Sequence, residues 1–292
     1  MESVFRTTGR WLRGNLHTHT KESDGRVEVA EAINKYKEAG YDFLAVTDHR
    51  KTVDTTDFTT PGFLTIPSIE LNGRDPQSNF IYHVVGIGVT PFEQEDREWI
   101  GPCQEMIDKV RAGGGVAILA HPYWSGNDVN DLMNLRDVCA MEVYNATCMR
   151  HGKERGEVYW DSLLERGKMI WGVAVDDTHH YDIDVAAGWV MVKAAELSTS
   201  AILAALQAGR FYATNGPAIV DIEYDAQEIR VHCSPVTQVR FIGRRGSGRS
   251  VIAQPGSEIT AARVKLPRSP YVRVECVDRQ GRTAWSQPIH IG

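Results

Sequence analysis

Short apolar runs alternate with amphipathic segments from residue 12 to about residue 194 of this 292-residue chain. The run FLAVTDH follows VEVAEAINKYKEAG, in which Val29, Ile33 and Tyr36 have helical spacing and Gly40 is suited to end the helix. GVAILAHP, CAMEVYN and MIWGVAVDD are further strand-like runs. Wholly apolar strands that alternate with helices are typical of a parallel sheet covered by helices, so the sequence predicts an α/β barrel or a doubly wound sheet.

The pattern changes after the segment LSTSAILAALQAGRFYATNGPA. This segment predicts a last helix that ends at Gly209, followed by a turn over residues 215–217. Short alternating runs such as IRVHC, QVRFIG and YVRVECVD then follow, separated by Gly, Pro, Ser and Asp. They predict a small all-β unit, most simply a sandwich. We therefore expect a first domain over residues 1–212 and a C-terminal domain over residues 213–292.

Composition and charge restrict the partners. The net charge of −6 and the pI of about 5.9 give no strong nucleic-acid signal, because nucleic-acid-binding surfaces are usually basic. The first residues lack the apolar core of a signal peptide, and no apolar stretch reaches the roughly 18 residues of a membrane helix. The five cysteines are scattered and form no C-x-x-C motif. We expect a cytoplasmic protein with reduced thiols that does not interact with membranes.

Polar side chains end almost every predicted strand of the first domain. These side chains are His17 and His19, Asp48 and His49, Glu70, His121, Glu142 and Asn145, and Asp176, Asp177, His179 and His180. His83 differs from them, because it lies early in the apolar run FIYHVVGIG. The carboxyl ends of the strands of a parallel barrel meet at one mouth, and residues two apart on a strand point the same way. The sequence therefore predicts that these groups converge.

Such a cluster needs a cation. A single histidine is more often structural, but this many charged groups would repel one another or lie unpaired without a metal ion. Histidine mixed with carboxylate, without cysteine, suits zinc, manganese or iron. The candidate ligands are too many for one ion, so two to three divalent ions are expected.

The ordered motifs resemble those of the PHP family, named for polymerase and histidinol phosphatase domains. The matching positions are His17-Thr18-His19, Thr47-Asp48-His49, Glu70, His83, His121-Pro122 and Asp177-Thr178-His179. The resemblance spans about residues 12–190 and implies a distorted (β/α)7 TIM-like barrel, here followed by the small all-β domain. The tail and the junction GRFYATNGPAI also resemble bacterial metallohydrolases related to carbaryl hydrolase.

The family resemblance implies a specific ligand set. One ion would be held by His17, His19, Glu70 and Asp177, a second by Glu70, His83 and His121, and a third by Asp24, His49 and His179. Glu70 would bridge the first two ions, and Glu70, Asp177 and His179 are the expected catalytic residues. For Asp24 the alternative is a structural role, in which it makes a turn before Gly25 or caps a helix beginning near Val27.

The expected activity is hydrolysis of a small-molecule phosphate mono- or diester by a metal-bound hydroxide. Arg150 and His151 follow the EVYN strand end and are candidates for phosphate contact, although a solvated loop pair is an equal alternative. The rival activity is carbamate, ester or amide hydrolysis at the same metal site. A nuclease and a non-catalytic, metal-stabilised module are weaker alternatives.

Other residues near the motifs have two interpretations each. Glu142 either orients a ligand histidine or pairs with an arginine, and Asp48 and Asp176 also invite an orienting role. Tyr123 and Trp124 either line a substrate pocket or serve packing. Cys148 lies among polar motifs, but a catalytic thiol is not the expectation there.

Overall fold

The structure is a computed structural model that describes residues 2, 3, 5 and 8–291. The strands are β1 (Glu2–Ser3), β2 (Arg10–Asn15), β3 (Phe43–Val46), β4 (Leu64–Arg74), β5 (Ile81–Ile87), β6 (Trp99–Ile100), β7 (Val116–Leu119), β8 (Val138–Asn145), β9 (Trp171–Val175), β10 (Trp189–Ala194), β11 (Phe211–Thr214), β12 (Ile219–Tyr224), β13 (Glu228–Val236), β14 (Gln238–Gly243), β15 (Arg249–Ile252), β16 (Ile259–Lys265), β17 (Tyr271–Val277), β18 (Thr283–Ser286) and β19 (Ile289–His290).

The α-helices are short. They are α1 (Val29–Glu38), α2 (Cys103–Ala112), α3 (Pro122–Ser125), α4 (Val129–Asn134), α5 (Glu157–Glu165) and α6 (Thr199–Gln207), and 3-10 turns cover Thr56–Phe58 and Thr147–His151. The predicted ends of α1 and α6 agree with the structure, since Gly40 and Gly209 follow them with φ of 77° and 66°, a backbone conformation that glycine adopts without strain. Within the described residues, no helix has the length and apolar character needed to cross a membrane.

The sheet of the first domain is mixed. β2, β3 and β4 are parallel neighbours, and so are β7, β8 and β9. β5 lies between the two sets and runs antiparallel to both β4 and β7. The apolar sequences FLAV of β3 and VAIL of β7 are buried along their whole length, as the pattern predicted. The α/β class is therefore confirmed, whereas strict parallel order is not.

The sevenfold strand–helix repeat is also incomplete. The connection from β3 to β4 contains only the Thr56–Phe58 turn, and β4 passes directly into its antiparallel partner β5. Antiparallel neighbours need no crossover helix, which explains why helices are few here. A short β-bridge joins the backbone segments that follow β2 and β9. In it, the Asp177 N–H donates to the His17 carbonyl at 2.9 Å, and the His19 N–H donates to the Thr178 carbonyl at 3.0 Å. This bridge brings the two strand ends together.

The C-terminal β-strands, together with the N-terminal strand β1, form two sheets around one core. β1, β12, β13 and β16 make one sheet, and β15, β14, β17 and β18 continue the large sheet through β11 and β10 to β2. Buried residues of both sheets, among them Ile222 and Val231 from one and Phe241 and Val274 from the other, belong to one apolar cluster. β11 pairs with β10 on one side and β18 on the other, so the expected boundary at residue 213 falls inside a paired strand and stays a prediction.

A buried arginine links the tail to the first domain. The Arg273 guanidinium on β17 donates to both carboxylate oxygens of Asp161 on α5, at 2.7 and 2.8 Å, and to Glu275 at 2.6 Å. Its side chain is only 1% exposed and lies over the Trp160 ring. A bidentate pair of this kind fixes both distance and orientation, so the tail packs against α5 in one defined arrangement.

Candidate metal centre

His17 and His19 follow β2 and point to the same side of the chain. Both side chains are fully buried, and their Nε2 atoms lie 3.1 Å apart. This is the arrangement expected for alternate residues of an extended segment. The Glu70 Oε2 atom lies 3.3 Å from each of these nitrogens and 3.0 Å from Nδ1 of His49. One carboxylate oxygen thus faces three imidazole groups.

The second oxygen of Glu70 faces two more histidines. Oε1 lies 2.8 Å from His83 Nδ1 and 3.3 Å from His121 Nε2. His83 sits near the start of β5, and β5 runs antiparallel to β4. The beginning of β5 therefore lies at the same edge as the ends of the parallel strands. This direction explains why His83 joins the cluster although it comes early in its apolar run.

Asp177 completes the buried part of the cluster. Its Oδ1 atom lies 3.3 Å from His17 Nε2 and 3.1 Å from His19 Nε2, while Oδ2 accepts a hydrogen bond from Asn145 at 3.0 Å. Asp177 and His121 both have positive φ, of 54° and 26°. Non-glycine residues adopt such values at a cost, and they concentrate at functional sites.

Asp24 forms a more exposed group with three histidines. Its Oδ1 lies 3.3 Å from His179 Nε2 and 3.5 Å from His19 Nδ1, and its Oδ2 lies 3.5 Å from His49 Nε2. The helix that was expected near Val27 begins at Val29, and Glu28 occupies its N-cap position. The capping alternative for Asp24 is therefore wrong.

The donor set of the cluster fits divalent metal ions. Glu70 Oε2, Asp177 Oδ1 and His49 Nδ1 are buried, and among the described residues they have no hydrogen-bond partner. His49 Nδ1 and Glu70 Oε2 are close but not aligned for a hydrogen bond. Unpaired polar atoms in a protein interior are costly and need an explanation, and a bound cation supplies one. Imidazole and carboxylate donors fit divalent zinc, manganese or iron.

The donor atoms form several compact sets. In each set, one ligand atom per residue lies within 4.8 Å of the others. The sets are His17, His19 and Glu70; His17, His121 and Asp177; His49, Glu70 and His83; and His19, Asp24, His49 and His179. Because the sets share members, they describe one continuous cluster that could hold more than one ion.

The electrostatics keep the central carboxylate ionised. Burial disfavours the charged form of Glu70, but the neighbouring His49, His17 and His83 more than offset it and hold the pKa of Glu70 well below its usual range. Burial likewise lowers the pKa of His49, yet Glu70 and Asp24 together raise the pKa of His49 to about 10. An ionised Glu70 is ready to bind a cation.

Glu142 orients two parts of the cluster. Its carboxylate accepts hydrogen bonds from His17 Nδ1 at 2.6 Å, from the His121 backbone N–H at 2.7 Å and from Asn145 Nδ2 at 2.8 Å. No arginine among the described residues pairs with it in an ion pair. Of the two interpretations of Glu142, the structure supports the one in which it orients a histidine. A proton on His17 Nδ1 leaves Nε2 free to face the other ligands.

Asp48 and Asp176 hold loops instead. Asp48 accepts hydrogen bonds from the N–H and hydroxyl of Thr20 and from the Ser23 hydroxyl, at 2.6–2.8 Å. Asp176 accepts from the backbone N–H groups of residues 186–188, and burial raises the pKa of Asp176 to about 7. The interpretation that these two carboxylates orient ligand histidines is therefore wrong.

A cavity of about 340 Å³ opens over the cluster. Besides candidate ligands, it is lined by Arg26, Trp124, Cys148, Arg150, His151 and His180. The structure thus brings Arg150 and His151 to the cavity, and their role as substrate contacts stays a prediction. Tyr123 lines a separate cavity. Burial raises the pKa of the Cys148 thiol, which is consistent with the expectation that it is not a nucleophile.

Sequence reasoning missed two residues near this cavity. Arg26 lies two residues beyond Asp24, so its position in the same loop was an available signal. Asp184 is buried in the segment between β9 and β10 and pairs with Arg150 at 2.6 Å. Nothing in the sequence around Asp184 indicates this partner.

No family model matches the sequence, and no curated protein matches it significantly. Among solved structures, the chain is similar to a two-domain protein from Bacteroides vulgatus that contains a predicted PHP-like metal-dependent phosphoesterase. The identity is 15%, the TM-score is 0.54, and the match covers 97% of this chain and 95% of the other. The chain therefore shares its fold with this protein along almost its whole length.

Two further structures are similar over part of the chain. An amidohydrolase from Chromobacterium violaceum matches 59% of this chain and 89% of its own, with 14% identity and a TM-score of 0.46. A lesion-specific endonuclease from Pyrococcus furiosus matches 68% of this chain and 56% of its own, with 14% identity and a TM-score of 0.48. These lower scores add no argument, and the resemblance to carbaryl-hydrolase relatives stays a prediction.

Proposed function

We propose that the chain is a PHP-family, metal-dependent hydrolase of phosphate esters, and that its metal centre is the His/Glu/Asp cluster. One observation carries the proposal. The buried atoms Glu70 Oε2, Asp177 Oδ1 and His49 Nδ1 belong to this cluster and have no hydrogen-bond partner among the described residues. The fold that the chain shares with a PHP-like protein agrees with this proposal, but a shared fold alone does not establish a function.

The proposed ligands follow the motif order. His17, His19, Glu70 and Asp177 would hold one ion, Glu70, His83 and His121 would hold a second, and Asp24, His49 and His179 would hold a third. The interatomic distances support these groups, although His49 and His121 also lie close enough to serve a neighbouring set. The ions proposed are two to three of manganese, iron or zinc. When bound, they would lower the pKa of a coordinated water and stabilise charge on phosphoryl oxygens.

The protein's own residues prepare this chemistry in defined ways. Glu142 holds the proton of His17 at Nδ1, and the Asp177 carbonyl oxygen, 2.8 Å away, holds that of His179 at Nδ1. In both rings, Nε2 then carries no proton, and its free lone pair faces the cluster. Arg150 and His151 contact the substrate from the cavity wall, where a guanidinium can offer paired donors to an oxyanion.

Metal loading and a substrate panel test the proposal. The purified protein is stripped with a chelator, reloaded separately with manganese, zinc or iron, and assayed with an aryl phosphate monoester, a phosphodiester and an aryl carbamate. We expect metal-dependent turnover of one of the phosphate esters. Turnover of the carbamate alone would favour the rival hydrolase. Metal binding without turnover of any substrate would favour a metal-stabilised module.

A further inference from the structure

We propose that Arg26 and Arg150 form a second anion-binding subsite at the rim of the cavity, so that the substrate carries a second anionic group besides the phosphate that reacts. This inference rests on the proposed function for the identity of the first group. The second group is a phosphate or a carboxylate. Guanidinium groups bind both of these oxyanions through paired hydrogen bonds.

Arg26 carries an uncompensated positive charge at the cavity. Its side chain is exposed and lines the cavity, and its backbone N–H donates to the His179 carbonyl at 3.2 Å. No described carboxylate lies within ion-pair distance of its guanidinium. This backbone hydrogen bond places Arg26 beside His179, in the segment that follows β9. An exposed cation held in this way is available to a ligand.

Arg150 lies far from Arg26 in the sequence but is linked to the same segment around His179 through Asp184. Its Nη2 donates to Asp184 Oδ1 at 2.6 Å, and Asp184 Oδ2 accepts from the backbone N–H groups of His180 and His179 at 2.8 and 3.3 Å. Asp184 is buried, so it positions Arg150 firmly. Its remaining guanidinium donors have no hydrogen-bond partner among the residues described. Arg26 and Arg150 are therefore both anchored to the His179–His180 segment and both line one cavity.

The two subsites differ in burial, because most of the metal-binding cluster is buried and the two arginines are exposed. The cluster lies at the floor, where His17 and Glu70 are at most 1% exposed, whereas the Arg150 side chain is 35% exposed and Arg26 is also exposed. The reacting phosphate must approach the floor. The volume of about 340 Å³ lies within the range of small-molecule pockets, so there is room for a spacer between floor and rim. The rim arginines then meet the far end of the substrate.

Binding of non-hydrolysable ligands tests the subsite directly. The manganese-loaded protein is titrated calorimetrically with alkylphosphonates and with the corresponding alkane bisphosphonates of three to six methylene groups, after subtraction of their binding to manganese alone. At one chain length we expect the bisphosphonate to bind about ten- to a hundredfold more tightly, the effect of hydrogen bonds to a charged group. High salt should reduce this preference, because the rim is exposed.

Variants assign the preference to the rim. Arg26→Gln and Arg150→Gln should each reduce the preference about tenfold, and Arg26→Lys should restore part of it. Arg249→Gln on the exposed strand β15 is the matched control and should keep the full preference. Equal binding of the two ligand types by the parent protein would overturn the proposal, and so would a preference unchanged in both variants. Because binding is measured without turnover, the preference would stand even if no phosphate ester were hydrolysed, in which case only the proposed activity would fail.

Discussion

Glu70→Gln removes the negative charge of the carboxylate that contacts five histidines of the cluster. The two carboxylate oxygens lie within 3.3 Å of nitrogens of His17, His19, His49, His83 and His121. Glutamine has nearly the same volume and keeps one acceptor oxygen, but its amide group would direct N–H donors towards imidazole nitrogens or cations. The substitution therefore alters charge and hydrogen bonding at a buried position while it leaves the packing almost unchanged.

The expected magnitude follows from this position. Loss of a partner that only orients a ligand typically lowers metal affinity about 10- to 100-fold. Glu70 faces two of the proposed ion positions directly, so we expect at least about 100-fold weaker binding at each. Loss of one preorganised electrostatic group typically lowers turnover about 10²- to 10³-fold. Since two ions are affected, phosphate-ester turnover should fall by about 10³-fold or more.

Elemental analysis after dialysis and turnover of a phosphate ester are the measurements, with circular dichroism as the check on folding. Glu157→Gln is the matched control, because Glu157 is a largely buried carboxylate on α5 that bonds Trp285 and Arg155 away from the cluster. It should keep both metal and turnover. A folded Glu70→Gln variant with normal metal content and near-normal turnover would refute the central role of Glu70.

Three further outcomes are expected. Active protein should carry about two to three equivalents of manganese, iron or zinc, and chelation should abolish hydrolysis; hydrolysis by demonstrably metal-free protein would contradict the mechanism. Asp24→Ala should remove one ion and lower phosphate-ester turnover about 10²- to 10³-fold, whereas wild-type stoichiometry and turnover would show that Asp24 is not a ligand. Arg273→Met should lower the free energy of unfolding by about 3 kcal/mol in denaturant titration, because it leaves Glu275 buried beside fewer cations. Arg240→Met, which removes a 43% exposed partner of the same Glu275, should cost less than about 1 kcal/mol, and equal losses in both would contradict the argument.

The strand ends of the first domain were predictable, because burial and side-chain alternation leave a clear trace in sequence. The apolar runs became buried strands, and the polar residues that end them lie together, as with His17 and His19 after β2. The direction of β5 was not predictable, since an antiparallel strand and a parallel one have the same apolar pattern. His83 therefore entered the ligand set only through the family resemblance.

The roles of the other polar residues depended on contacts distant in sequence. Asp48 and Asp177 both end apolar runs, yet Asp48 binds Thr20 and Ser23 while Asp177 faces the cluster. Hydrophobic periodicity does not distinguish these outcomes, because both residues are buried. The Arg150–Asp184 pair was equally hidden, since its partners lie 34 positions apart and Asp184 lies outside any helix or strand.

Backbone strain explains why Glu142 matters beyond its contact with one histidine. His121 has a φ of 26°, and its N–H is held by Glu142 Oε2 at 2.7 Å. A non-glycine residue in a sparsely populated conformation costs about 1–3 kcal/mol and persists only when its surroundings hold it. The other oxygen of Glu142 accepts the proton of His17 Nδ1 at 2.6 Å. One carboxylate thus fixes a strained backbone at the end of β7 and a ring orientation after β2, so the proposed first and second ion positions depend on the same residue, although Glu142 belongs to neither ligand set.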